Sequence, residues 1–287
     1  MRRLELLINE ARLSTNTTDI NSVSTLLCQA YTNRIQSYLE DLLFLVNDEN
    51  DLFLKDHEFS LVPGQDEYDL PVDIYAKSSI DTVAVSFLNG LSQTFLPLKK
   101  VSRKQRGFTF GYFVQESKVV FTPKPMSPLK IKLTYQRKLP SLSVRVGQVT
   151  SFAGNTVNFD ELITGYQDVS DFYTIVDFNG VIKQSGIQAV SQSEGSITAA
   201  SAITGISAGD YVVCGKYATT HSNLPSECEK YLITALERMI QYRQSSPDIK
   251  VSDLFSKEEL ETIKEVFADN SYDDAKPPVT EWQEWLP

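Results

Sequence analysis

The sequence predicts an α+β fold: an antiparallel helix bundle from the N- and C-terminal segments, a β-rich central region and an inserted small all-β module. Three observations predict it. Apolar residues recur at three- and four-residue steps before residue 50 and again after residue 218. Between these segments the period shortens to two, with turn residues between the apolar runs. From residue 144 to 216 glycine, serine and threonine become frequent and large aliphatics thin out. The chain divides accordingly into N-terminal helices (1–50), a β-rich core segment (51–143), an inserted β module (144–217), returning C-terminal helices (218–270) and an extended docking tail (271–287).

A first short helix is expected over residues 2–12, with Leu4, Leu7, Ile8 and Ala11 on one face. The strongest helix follows a polar link. Its stripe is Ile20, Val23, Leu27, Ala30, Tyr31, Ile35, Tyr38, Leu39, Leu42 and Val46, and Thr18 or Asp19 supplies the capping oxygen. Strands are expected over 52–62, 65–70, 80–88, 91–98, 108–114, 118–121 and 130–137. Asn89-Gly90 is a strong hairpin signal, because both residues tolerate positive φ. Lys130-Ile131-Lys132-Leu133-Thr134-Tyr135 alternates cleanly, as a strand with one wet face does. In the glycine-rich stretch, short strands fit over 147–152, 156–159, 172–178, 181–190, 196–200 and 211–217, with Asn179-Gly180 as a second hairpin turn. Leu224-Pro225 opens a helix with Cys228, Tyr231, Leu232, Ala235, Leu236, Met239 and Tyr242 on its apolar face. Ser256-Lys257-Glu258-Glu259 is a capping box for a last helix that turns Leu260, Ile263 and Phe267 inward.

Composition narrows the function classes. With 41% hydrophobic and 22% charged residues, the chain is globular. A net charge of −10 repels phosphate, so tight nonspecific nucleic-acid binding is not expected. Three cysteines without a Cys-x-x-Cys pair, and two histidines, make neither a disulfide framework nor a zinc site. The thiols are expected to be buried or semi-buried, in a reducing compartment. Acidic and polar residues interrupt the N-terminal apolar run, so no signal peptide is expected, and no stretch is long and apolar enough for a bilayer. A soluble protein made in the cytosol, with no membrane partner, is the expectation.

Nothing in the sequence points to catalysis, a metal or a cofactor. Nucleotide-binding, zinc-protease and serine-hydrolase signatures are absent. His57 stands between Asp56 and Glu58 and is expected on a solvated edge strand; His221 is expected in a surface loop. The cluster Lys99, Lys100, Arg103, Lys104 and Arg106 concentrates positive charge in an acidic chain. It is either a solvated loop or a contact for an acidic partner or for DNA backbone. The tail carries Pro277, Pro278, Trp282, Trp285 and Leu286. Two tryptophans on a polar segment are costly to leave wet, so the tail is expected to dock, on a neighbouring subunit in preference to its own.

The stretch Phe59-Ser60-Leu61-Val62-Pro63-Gly64-Gln65-Asp66-Glu67-Tyr68-Asp69-Leu70-Pro71-Val72-Asp73-Ile74, the N-terminal helix pair and the phrase Leu224-Pro225-Ser226-Glu227 resemble head-to-tail adaptor proteins of short-tailed phages, including ring proteins of crAss-like phages. The resemblance covers residues 1–140 and about 218–270 and leaves the glycine-rich stretch outside. It implies a virion protein of the neck, assembled in the host cytoplasm as a homo-oligomeric ring, typically dodecameric. Such a ring sits beneath the portal protein, continues the DNA channel so that DNA is a transient partner, and meets a downstream tail protein. The inserted module would decorate the outside or dock a fibre or decoration protein. The alternatives are a β-rich surface module that binds carbohydrate, and an enzyme with an unrecognised site.

Overall fold

A computed structural model of the chain describes residues 2–17, 23–46, 53–86, 94–102, 110–160, 172–193, 195–243 and 250–268. Strands hold more residues than helices, so the protein is mainly β, with four α-helices among the described residues. The expected helix bundle with an inserted module does not form. The helices are α1 (Leu4–Ser14), α2 (Thr25–Val46), α3 (Ser226–Arg243) and α4 (Lys257–Ala268). They do not close a core on themselves. Their apolar faces share one cluster with Phe53, Leu139, Leu142 and Val144, which belong to the chain entering and leaving the sheets. Helical periodicity shows that a face is buried; it does not say whether helix or strand covers it.

Two four-stranded sheets follow α2. The first has the order β1 (Leu54–Ser60), β8 (Lys130–Gln136), β3 (Ile80–Ser86), β4 (Phe95–Pro97), all antiparallel. The second has the order β2 (Glu67–Asp69), β7 (Lys118–Thr122), β6 (Gly111–Gln115), β5 (Lys99–Lys100). Their facing side chains, including Val83, Val85, Val119, Phe121, Ile131, Leu133 and Tyr135, make a single core. In β8, Ile131, Leu133 and Tyr135 are buried and the intervening residues partly exposed, as the alternation predicts. On the wet face Lys130 pairs with Glu58 at 2.6 Å and Lys132 with Asp56 at 2.7 Å. These cross-strand pairs contribute little individually but favour this register.

The phrase around Pro63-Gly64 is a turn held from several sides. Gly64 has φ +84°, and its N–H donates to Pro125 O at 2.9 Å. The Tyr68 hydroxyl accepts the Val62 N–H at 2.6 Å, and its ring packs on Phe59 and Phe121. Beyond Pro71, Asp73 is buried and accepts bonds from Tyr135 Oη and Lys55 Nζ, both at 2.6 Å. Burial alone would raise its carboxyl, but the bonds from Lys55 and Tyr135 hold it below the ordinary carboxylate range. Asp73→Ala strands the Tyr135 hydroxyl in the core and is expected to cost about 2–3 kcal/mol in urea unfolding. A change below about 0.5 kcal/mol would show that the pair is ornamental to stability.

Six strands close into a barrel in the order β10 (Arg145–Ala153), β11 (Thr156–Asp160), β14 (Ser196–Ala199), β13 (Ile182–Ser193), β12 (Phe172–Val176), β15 (Tyr211–Cys214). Val146, Val149, Val157, Phe159, Tyr173, Ile175, Ile187, Ile197 and Val212 fill its interior, as a barrel this small requires. At Gly147 a Cβ would lie 2.5 Å from Asp160 O, so the close crossing of β10 and β11 needs glycine. β12 and β13 form the hairpin that Asn179-Gly180 predicts, with Val176 opposite Ile182. The chain enters the barrel through β9 (Ser141–Leu142) and leaves through β16 (Ala218–Thr219), which pair in parallel. From there Thr220 O accepts the Leu4 N–H, and Ser222 N–H donates to Arg2 O, fastening the exit to the start of α1.

Two helix starts test the capping predictions. Ser256 Oγ accepts the Glu259 N–H at 3.1 Å, and Glu259 Oε2 accepts the Ser256 N–H at 2.7 Å, so the capping box forms. Glu259 also takes a forked pair of bonds from Arg238 on α3, tying α4 to its neighbour. For α2 the expectation fails. The helix starts at Thr25, Ser24 Oγ accepts the Leu27 N–H, and Thr18, Asp19 and Ile20 lie outside the described residues.

Candidate assembly interface

The most organised polar feature is a stripe on α2. Gln29, Asn33, Gln36 and Glu40 recur at steps of four, three and four, which places them on one face beside the apolar stripe. All four bind the backbone of the segment that leads into the barrel. Gln29 Oε1 accepts the Val144 N–H at 2.9 Å. Asn33 accepts the Leu142 N–H at 2.7 Å and donates to Leu142 O at 2.8 Å. Gln36 Nε2 donates to Pro140 O at 2.9 Å, and Glu40 Oε1 accepts the Leu139 N–H. The arrangement has a backbone cause. Ser141 and Ser143 turn their N–H groups to Tyr217 O and Thr219 O, so the groups of Leu142 between them face α2. The helix therefore serves as the second neighbour of β9.

Two clefts flank this junction. One, of about 620 Å³, lies between the polar stripe, Pro71, Val72, Lys138 and Tyr217. Glu40 borders it and is 7% exposed; burial, set against the Leu139 bond, raises its carboxyl from 4.5 to about 7. Gln36 Oε1, one turn earlier, is buried without a hydrogen-bond partner. The second cleft, of about 480 Å³, lies across Val72 and Tyr217. It is bounded by Lys55, Arg137 and the β12–β13 hairpin. Tyr217 forms part of both walls, and burial pushes its phenol up to about 12.

Sequence-derived positions fall unevenly on this frame. Lys99 and Lys100 are exposed and form β5, an edge strand paired in parallel with Gly111 and Tyr112. Lysines on an edge also discourage unwanted strand pairing. Arg103, Lys104 and Arg106 lie outside the described residues, as do Pro277, Pro278, Trp282, Trp285, Leu286 and the turn Asn89-Gly90. His57 is exposed on the edge strand β1, as expected. His221 is not a surface loop residue. It is 7% exposed, bonded to Thr220 Oγ1 at 2.9 Å and packed under the turn at Gly180. Burial and the nearby Arg3 guanidinium hold its imidazole below the ordinary range. A Cβ at Gly180, where φ is +83°, would fall 2.5 Å from His221 Nδ1. Gly180→Ala is thus expected to lower the melting temperature by about 8 °C through clash and left-handed strain, with His221→Ala in the same chain restoring part of it.

Cys28 and Cys228 are buried, and burial pushes the Cys228 thiol up to about 12, far from a thiolate at neutral pH. Among the described residues no group of three or more His, Cys, Asp or Glu side chains could hold a metal ion, and no helix is long and apolar enough to cross a membrane.

No protein of curated function matches the sequence. A family model described as SU10 adaptor protein matches residues 2–168, more than half of the chain. The match takes in α1, α2 and both sheets. It runs past residue 144 into β10 and β11, further into the glycine-rich stretch than the sequence phrases indicate, and it stops short of 218–270. With this match the chain belongs to the SU10 adaptor protein family, whose members are structural adaptors of phages.

Proposed function

We propose that the protein is a ring-forming virion adaptor that joins the portal to the tail and continues the DNA channel, with a likeness to the ring proteins of crAss-like phages. The family match over residues 2–168 carries the reading. Physical arguments support the finer parts. A closed ring of identical copies needs two different faces on each subunit, and this chain has both helices and a separate barrel from which to build them. A net charge of −10 suits a conduit along which DNA slides without phosphate contacts that would slow it. The cluster from Lys99 to Arg106 then belongs at a protein joint or at one constriction, and the barrel is a platform for a downstream, fibre or decoration protein.

The docking residues of the tail are Pro277, Pro278, Trp282, Trp285 and Leu286. Deleting residues 277–287 is expected to abolish ring formation or association with portal-bearing particles while circular dichroism stays that of the full chain. Electron micrographs of particles assembled with the truncated chain decide the matter: rings or necks at normal occupancy would sink the role given to the tail.

A further inference from the structure

The second cleft has a composition that the adaptor role does not explain. Lys55, Arg137 and Lys183 converge on it in a chain that is otherwise acidic. Lys55 is paired with Asp73 at 2.6 Å and Lys183 with Asp210 at 2.9 Å. Arg137 has no ion pair among the described residues, and its Nε is buried without an acceptor. In the hairpin turn Val181, which lines the cleft, and Phe178, three residues earlier, are each 60% exposed. Asp177 fixes that turn by accepting the N–H groups of Asn179 and Val181 at 2.8 Å, so the apolar tip is held out by the fold. An arginine short of an acceptor beside a preformed apolar ledge fits a segment that alternates carboxylates with large apolar groups.

The chain carries one such segment beyond its described fold. After α4 ends at Ala268, 19 residues remain to Pro287. They include Glu281-Trp282-Gln283-Glu284-Trp285-Leu286, the only tryptophans in the protein. Fully extended, a stretch of this length reaches about 60 Å, enough to cross to an adjoining subunit. We propose that the cleft beside the β12–β13 hairpin receives residues 281–286 of a second copy of this chain. The tryptophans lie on Phe178 and Val181, and a glutamate meets Arg137 by a charge-assisted, bidentate bond. This rests on the reading that the tail anchors assembled chains, and it names the receiving surface.

Complementation between two full-length variants tests it. Phe178→Asp/Val181→Asp disables the ledge and keeps both tryptophans. Trp282→Ala/Trp285→Ala keeps the ledge and is free of tryptophan. Titrating the second into the first is expected to shift the tryptophan emission saturably to the blue and to lower iodide quenching several-fold. Adding Arg137→Gln to the receiving copy is expected to weaken the association about tenfold, the value of one charged hydrogen bond. Emission that does not move on titration overturns the proposal, as does an equal shift when the receiving copy also carries Phe178→Asp/Val181→Asp. If the Phe178→Asp/Val181→Asp variant does not fold, a synthetic peptide of residues 273–287 titrated into the Trp282→Ala/Trp285→Ala chain gives the same readout. Portal association, scored separately by microscopy, distinguishes failure of this docking from failure of the adaptor role.

Discussion

Asn33→Leu is expected to destabilise the protein by about 3 kcal/mol, among the largest effects available to a single substitution outside the deep core. Asn33 supplies both bonds that Leu142 makes toward α2. Leucine fills similar volume but leaves one N–H and one C=O without partners in a partly buried seam, each costing about 1–3 kcal/mol. The drop corresponds to roughly 8 °C in melting temperature for a chain of this size. Asn33→Asp separates the two bonds. It keeps an acceptor for the Leu142 N–H and turns a carboxylate oxygen toward Leu142 O, so its loss should lie between wild type and Asn33→Leu at neutral pH and shrink as the carboxyl protonates. Urea midpoints with an unchanged m-value are the measurement. A change under about 0.5 kcal/mol for Asn33→Leu would mean that β9 is held by β16 alone.

The same seam explains what could be read in the sequence and what could not. Strands with one buried face were legible, because a period of two is a direct consequence of the pleat: β8 keeps its pattern from Lys130 to Gln136. Local chemistry was legible too, in the capping box of Ser256 and Glu259 and in the hairpin at Asn179-Gly180. The helix bundle was misread for a physical reason. The apolar stripe of α2 reports burial but not its cover, and the cover includes Phe53, Leu139, Leu142 and Val144. The signal for the true arrangement was present as Gln29, Asn33, Gln36 and Glu40 at helical spacing. On an ordinary amphipathic helix such residues face water, and only the backbone of a partner 104 to 109 residues away gives them meaning. His221 was misplaced likewise. Its neighbours Thr219, Thr220 and Ser222 suggest a loop, but Arg3 pairs with it as a bridge across more than 200 residues.

Glu40→Gln is expected to stabilise the protein above neutral pH. The carboxyl of Glu40 is raised from its ordinary 4.5 to about 7 because burial against β9 disfavours the charge. Asp41 from the same helix adds to this, and Lys138 across the cleft opposes it. Between these two values the folded chain holds a proton that the unfolded chain has lost, so stability from this group falls as pH rises. The contribution is complete below about pH 4.5 and gone once the pH passes through 7. Raising a carboxyl this far corresponds to roughly 3 kcal/mol at about 1.4 kcal/mol per pH unit, and water reaching the cleft reduces it to about 2 kcal/mol. Glutamine cannot ionise, retains an oxygen for the Leu139 N–H, and brings an amide N–H within one helical turn of the unpartnered Gln36 Oε1. The variant should therefore melt about 5 °C higher at pH 8 and close to wild type at pH 4.5. The difference between the two curves isolates Glu40 from Asp56, Asp73 and Glu259. Those carboxyls are held low by their partners and lose stability in the opposite direction, as pH falls. A difference that is flat from pH 4.5 to 8 would place Glu40 in solvent and remove the reason for its position opposite Leu139. A difference that rises through pH 7 makes this junction loosest above neutrality, so assembly of the barrel side against α2 is expected to be tightest in mildly acidic buffer.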